Sequence, residues 1–94
     1  MNRPRAAVTG LGIVASIGQD GPAFWNNLLE GVCGIHPVTL FDASGYRAKK
    51  AAEVKGFEPR RYFSPRQLKR MSRCDQLGMK AVREAVSESG LDLR

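Results

Sequence analysis

The sequence predicts an α/β fold, and a piece of one rather than a whole one. Residues 6–17 are apolar at nearly every position without alternation, the pattern of a central strand buried on both faces. Three helices carry start and stop signals downstream, and only residues 51–54 offer a second, brief strand. A doubly buried strand needs strand neighbours, and a sheet stands alone only with roughly three or more strands or a helix cover. The neighbours of this strand are therefore expected in further protein.

The elements follow in order. Asp20-Gly21-Pro22 opens the first helix with proline at or near its first position, and Phe24, Trp25, Leu28 and Leu29 recur three to four apart on one face. Gly31 ends it. Residues 32–41, with Gly34 and Pro37, read as loop or short extended pieces. Ser64-Pro65-Arg66-Gln67 matches a capping box, Ser accepting from the third backbone amide and Gln reaching back, and predicts a short helix to about Met71. Ser72-x-x-Asp75 starts a longer helix whose apolar or small positions Cys74, Leu77, Gly78, Ala81, Val82, Ala85 and Val86 form one stripe. Gly90 closes it, with Leu91 placed for the apolar contact that follows such a cap. Gly78, Ala81 and Ala85 predict that this helix approaches another element closely.

Composition limits the function classes. The 94 residues are 43% apolar and 26% charged, as in one small soluble domain. No apolar run approaches the roughly 20 residues of a spanning helix, so no membrane is expected as a partner. The start Met1-Asn2-Arg3-Pro4-Arg5 is not followed by the pattern of a secretory signal and reads as mature protein. Cys33 and Cys74 make no disulfide framework, which favours a reducing, cytoplasmic setting.

Charge is the most informative local feature. Residues 47–73 hold ten Lys or Arg against two Glu, so this stretch carries +8 within a chain of net charge +6. A basic face is joined to a mildly acidic body, and its partner should be anionic. Arg66, Lys69 and Arg70 recur at helical spacing and share a face of the short helix. Besides plain solvation, two partners suit such a face: an acidic protein, or nucleic acid with Tyr46, Phe57, Tyr62 and Phe63 as stacking groups. No nucleic-acid-binding motif accompanies it.

Other motifs carry less. Gly10-Leu11-Gly12-Ile13-Val14-Ala15 matches a dinucleotide pattern after a strand, but the helix should then open at the glycines and not near Pro22. Close packing or a tight bend is the plainer use of Gly10 and Gly12. Cys33 and His36 have the spacing of a ligand pair without a second pair to complete a metal site. A cysteine nucleophile would lack a conventional base held by a carboxylate, and Cys33 and Cys74 read as structural.

Several segments in order resemble the amino-terminal part of a β-ketoacyl-[acyl-carrier-protein] synthase. They are Ala7-Val8-Thr9-Gly10-Leu11-Gly12-Ile13-Val14, Ser16-Ile17-Gly18, Gly31-Val32-Cys33-Gly34-Ile35, Phe41-Asp42, Ala52-Glu53-Val54, Arg70-Met71-Ser72-Arg73 and Ala85-Val86-x-x-Ser89-Gly90-Leu91. The resemblance implies a thiolase-like fold, layered α-β-α-β-α, of which residues 1–94 would be the incomplete start of the amino-terminal domain. It implies a 3-oxoacyl-[acyl-carrier-protein] synthase of fatty acid biosynthesis, an acyltransferase that elongates acyl chains by decarboxylative Claisen condensation. A polyketide ketosynthase or its chain-length partner remains an alternative, since Ala15-Ser16-Ile17-Gly18 and Phe41-Asp42 lean towards different subtypes.

The family's catalytic cysteine and two histidines match no position here, so neither Cys33, Cys74 nor His36 inherits a catalytic role, and the chain alone is expected to be inactive. No cofactor is implied, and the whole protein would be a homodimer. What the resemblance carries onto this chain is docking of an acidic acyl carrier protein by Arg66, Lys69 and Arg70.

Overall fold

The computed structural model describes residues 3–92, so Met1 and Asn2 of the start read above as mature protein lie outside the described residues. Its elements are α1 (Gly21–Leu29), β1 (His36–Pro37), β2 (Lys50–Ala51), a 3-10 turn (Pro59–Arg61), α2 (Pro65–Leu68) and α3 (Arg73–Ser89).

The helices begin and end where local chemistry dictates. The Asp20 carboxylate accepts from the Ala23 amide at 2.8 Å to cap α1, and Gly31 follows its end with φ 73°, a left-handed conformation open to glycine without steric cost. Both later capping boxes are formed: Ser64 with Gln67 on α2, and Ser72 with Asp75 on α3. The Asp75 carboxyl is held below the ordinary aspartate range first by the Ser72 amide and then by the Ser72 hydroxyl. Gly90 closes α3 at φ 69°. Helix α2 stops at Leu68, short of the expected Met71, because Ser72 must be extended (φ −74°, ψ 168°) to cap α3. Lys69 is its C-cap, and Arg70 and Met71 form a connecting turn.

The strands depart from expectation. Residues 3–14 form no strand, and Ala15 pairs with Gly18 only as an isolated bridge. Among the described residues nothing completes a ladder beside them, and Val8 and Leu11 stand 82% and 67% exposed rather than buried. The sheet is a two-stranded antiparallel pair, His36 opposite Ala51 and Pro37 opposite Lys50. β2 therefore lies earlier than residues 51–54. Glu53 supplies a side chain in place of further ladder: its carboxylate accepts from the amides of Thr39 and Leu40, each at 3.0 Å, and from the Thr39 hydroxyl at 2.9 Å. Desolvation pushes that carboxyl up, but these donors and nearby Lys55 outweigh it and leave it below the usual glutamate range.

Helix α3 organises the rest. Gly10 and Gly12 lie against its backbone so closely that an added Cβ would sit 2.0 Å from the Ala85 carbonyl oxygen and 1.7 Å from that of Ala81. Here Ala81 and Ala85 allow the expected close approach. Gly78 does not take part, since a Cβ there would meet open space. The predicted apolar stripe is thus divided: Leu77, Ala81 and Ala85 are half-buried, while Cys74, Val82 and Val86 are exposed. On α1 likewise only Phe24 of its four apolar face residues is half-buried.

The Glu84 carboxylate sits on the inward side of α3 and accepts from the amides of Ile13 and Gly21, each at 2.8 Å. It pins the extended segment and the first turn of α1 to one carboxylate. Lys80 donates to the Gln19 carbonyl, and Arg83 donates to the Tyr62 carbonyl. The buried core is small: Phe57 and Phe63, 8% and 5% exposed, with Tyr62 stacked on Phe57 at 5.6 Å. The Arg83 guanidinium lies 4.4 Å from the centre of the Phe63 ring.

The molecule is open for its size. Its surface of 7921 Å² compares with about 5,400 Å² for a compact monomer of this mass. Its radius of gyration is 16.8 Å, against about 12 Å for a compact chain of this length.

Candidate functional site

The basic stretch divides by what its side chains bond. Lys49 donates to the Ala43 and Ser44 carbonyls at 3.1 and 2.6 Å and braces its own loop. Arg73 donates to the Val54 carbonyl at 2.7 Å and ties the start of α3 to the segment after β2. The side chains of Arg47, Lys50, Arg60, Arg61, Arg66, Lys69 and Arg70 have no hydrogen-bond or ion-pair acceptor among the described residues, and all seven are exposed. Cations satisfied by backbone carbonyls serve the fold, whereas these are available to a ligand.

Arg66 stands in α2, Lys69 at its C-cap and Arg70 in the turn beyond, so the three expected docking residues are brought together on a helix and turn rather than on one continuous helix. Their frame is local. Ser64 and Gln67 fix the start of α2, Phe63 is buried immediately before it, and the second capping box fixes the departure of the chain into α3. Long flexible cations are thereby mounted on a backbone with little freedom to move. In water each such exposed charge contributes little alone, and several together steer an anionic surface.

Other candidates are not assembled. Cys33 and Cys74 are exposed free thiols, the first beyond α1 and the second in the first turn of α3, and His36 lies in β1. Among the described residues no group of three or more His, Cys, Asp or Glu side chains is placed to hold a metal ion. No described helix is long and apolar enough to cross a membrane. The Gly10 and Gly12 motif faces the flank of α3, and the helix that follows begins only at Gly21, so the glycines serve packing and not a helix amino end. Of the aromatic residues considered for base stacking, Phe57 and Phe63 are buried and Tyr62 is half-buried, while Tyr46 packs edge-on against Phe41 at 5.8 Å.

Glu84, Lys80 and Arg83 were not singled out in the sequence. The one local hint was a carboxylate next to Ala85 inside a small-residue stripe, and its partners lie 63 and 71 residues away.

The family profile described as "Beta-ketoacyl synthase, N-terminal domain" matches residues 4–94. The chain is 34% identical over 93 residues to 3-oxoacyl-[acyl-carrier-protein] synthase 2 of Coxiella burnetii, covering 99% of this chain and 22% of that protein. It is 36% identical over 88 residues to a granaticin polyketide beta-ketoacyl synthase of Streptomyces violaceoruber, covering 94% and 21%. Among solved structures, the ishigamide ketosynthase/chain length factor superposes with TM-score 0.79 at 36% identity, over 90% of this chain and 21% of that one. The chain spans about a fifth of the length of the curated relatives it matches. Its match over nearly its whole length, with the same local architecture as a ketosynthase, places this chain in the β-ketoacyl synthase family, within the amino-terminal domain.

Proposed function

We propose that this chain is the opening part of the amino-terminal domain of a 3-oxoacyl-[acyl-carrier-protein] synthase and supplies its docking face for an acidic acyl carrier protein. The observation that carries the reading is the set of exposed, unbonded cations Arg66, Lys69 and Arg70 on a doubly capped helix and turn. In this reading the whole protein is a cytoplasmic, dimeric acyltransferase with the layered thiolase-like fold. It condenses an enzyme-bound acyl group with a malonyl thioester as carbon dioxide leaves. The catalytic cysteine and histidines belong to other segments, and this chain alone is inactive.

The open architecture supports the same reading. Val8, Leu11, Trp25, Leu29 and Val82 are all exposed, and a strand neighbour beside residues 6–14 would cover part of this apolar surface. The inward placement of Phe57, Tyr62 and Phe63 argues against a nucleic-acid module, which would present its rings to bases. Similarity to a 3-oxoacyl-[acyl-carrier-protein] synthase, to a polyketide beta-ketoacyl synthase and to a ketosynthase/chain length factor keeps a polyketide ketosynthase or chain-length partner as the second reading.

Zero-length carbodiimide cross-linking of the full-length protein to acyl carrier protein tests the docking face. The expected product joins Lys69 to a carrier carboxylate and disappears in Lys69→Glu. Cross-links confined to Lys49, Lys50, Lys55 or Lys80 would overturn it. An assay of malonyl decarboxylation or condensation with the 94-residue chain alone should show only background, and clear turnover would contradict the inactive reading.

A further inference from the structure

A groove beside the docking helix is left unused by the three cations alone. It is open to solvent, has a volume of about 540 Å³ and is lined by Arg60, Phe63, Pro65, Leu68 and Lys69. Buried Phe63 and half-buried Leu68 give it an apolar lining, and Arg60 and Lys69 enter it from the 3-10 turn and from the C-cap of α2. Its walls are fixed relative to one another: the Phe63 amide donates to the Pro59 carbonyl at 3.0 Å, and α2 starts at the next capping residue, Ser64. Neither cation has an acceptor among the described residues.

An apolar groove whose lining includes two unpaired cations suits an apolar side chain accompanied by carboxylates, the surface of an acidic amphipathic helix. We propose that this groove seats one apolar side chain of the acidic carrier protein while neighbouring carboxylates meet Arg60 and Lys69. The inference rests on the carrier-docking reading and adds Arg60 and Leu68 to its residues. A second copy of this chain is a poor occupant, because a net charge of +6 opposes burying this basic face against another of its kind. A nucleic-acid backbone would use the cations but gain nothing from the apolar lining.

The test is titration of the full-length protein with holo acyl carrier protein at two ionic strengths. Arg60→Glu should weaken binding about fivefold, whereas Arg61→Glu, the same charge change on the same turn but outside the groove, should cost less than about twofold. Leu68→Asn should weaken binding about fivefold with the salt dependence unchanged, since an apolar contact is not screened. Equal effects of Arg60→Glu and Arg61→Glu would overturn the groove, as would full affinity in a folded Leu68→Asn protein. If Leu68→Asn does not fold, the Arg60 and Arg61 pair decides. Arg66→Glu/Lys69→Glu/Arg70→Glu separates the two readings: loss of binding there with no effect at Arg60 and Leu68 removes the groove and leaves the docking face, while no loss in any variant removes both. Binding of single-stranded nucleic acid that is lost in Arg60→Glu, without carrier binding, would also overturn the proposal.

Discussion

Lys80 and Arg83 on α3 and Arg66, Lys69 and Arg70 around α2 carry the same charge and meet opposite fates. The first pair is engaged by the carbonyls of Gln19 and Tyr62 and by the rings of Tyr62 and Phe63. The second set has no acceptor among the described residues and faces solvent. Charge density therefore does not by itself mark a binding face. What separates the two regions is whether the backbone nearby leaves carbonyls within reach, and around α2 the carbonyls of Pro59, Ser64, Pro65, Gln67 and Leu68 already accept backbone amides.

Gly12→Val in the full-length protein should have the largest effect, because its Cβ would collide with backbone and not with a side chain that can move. We expect a loss of about 3 kcal/mol in a denaturant melt, and a near-neutral result would show that the segment around Gly12 and α3 are not in contact. Glu84→Gln should follow. It keeps the shape but faces the two amides with one acceptor and one donor, at a cost of about 2 kcal/mol by the same melt.

Ser72→Ala should cost about 1 kcal/mol by removing the α3 cap, without changing the affinity for an acidic carrier. The Asp75 carboxyl sharpens this point. Its folded pKa lies below the unfolded value, so its contribution is present above the unfolded pKa and is lost as pH falls through the folded one. In Asp75→Asn the acid-side loss of stability below about pH 4 should be shallower than in the unaltered protein, and an unchanged acid limb would contradict it. The smallest stability effect belongs to Lys69→Glu, within about 0.5 kcal/mol, since nothing in the described structure depends on that ammonium.

The sequence showed clearly what local chemistry decides. Asp20, Ser64, Ser72, Gly31 and Gly90 marked helix boundaries because each acts within a few residues of itself. The exposed cations Arg66, Lys69 and Arg70 were legible for the same reason, as a charge run on a capped helix. Residues 6–17 misled because apolar continuity reports an environment, and the partners that would make it a central strand are not among the described residues. Glu84 was not legible at all. Its role depends on amides 63 and 71 residues away, which no local pattern encodes. Gly78 looked like Ala81 and Ala85 in the sequence but lies where nothing approaches.

The most direct test of the central claim is the salt dependence of acyl carrier protein binding by the full-length protein, compared between the unaltered form and Arg66→Glu/Lys69→Glu/Arg70→Glu. The division of cations requires that the triple variant keep its melting temperature, lose most of its affinity and show little remaining salt dependence. Unchanged affinity with the same salt dependence would place the docking face elsewhere on the molecule.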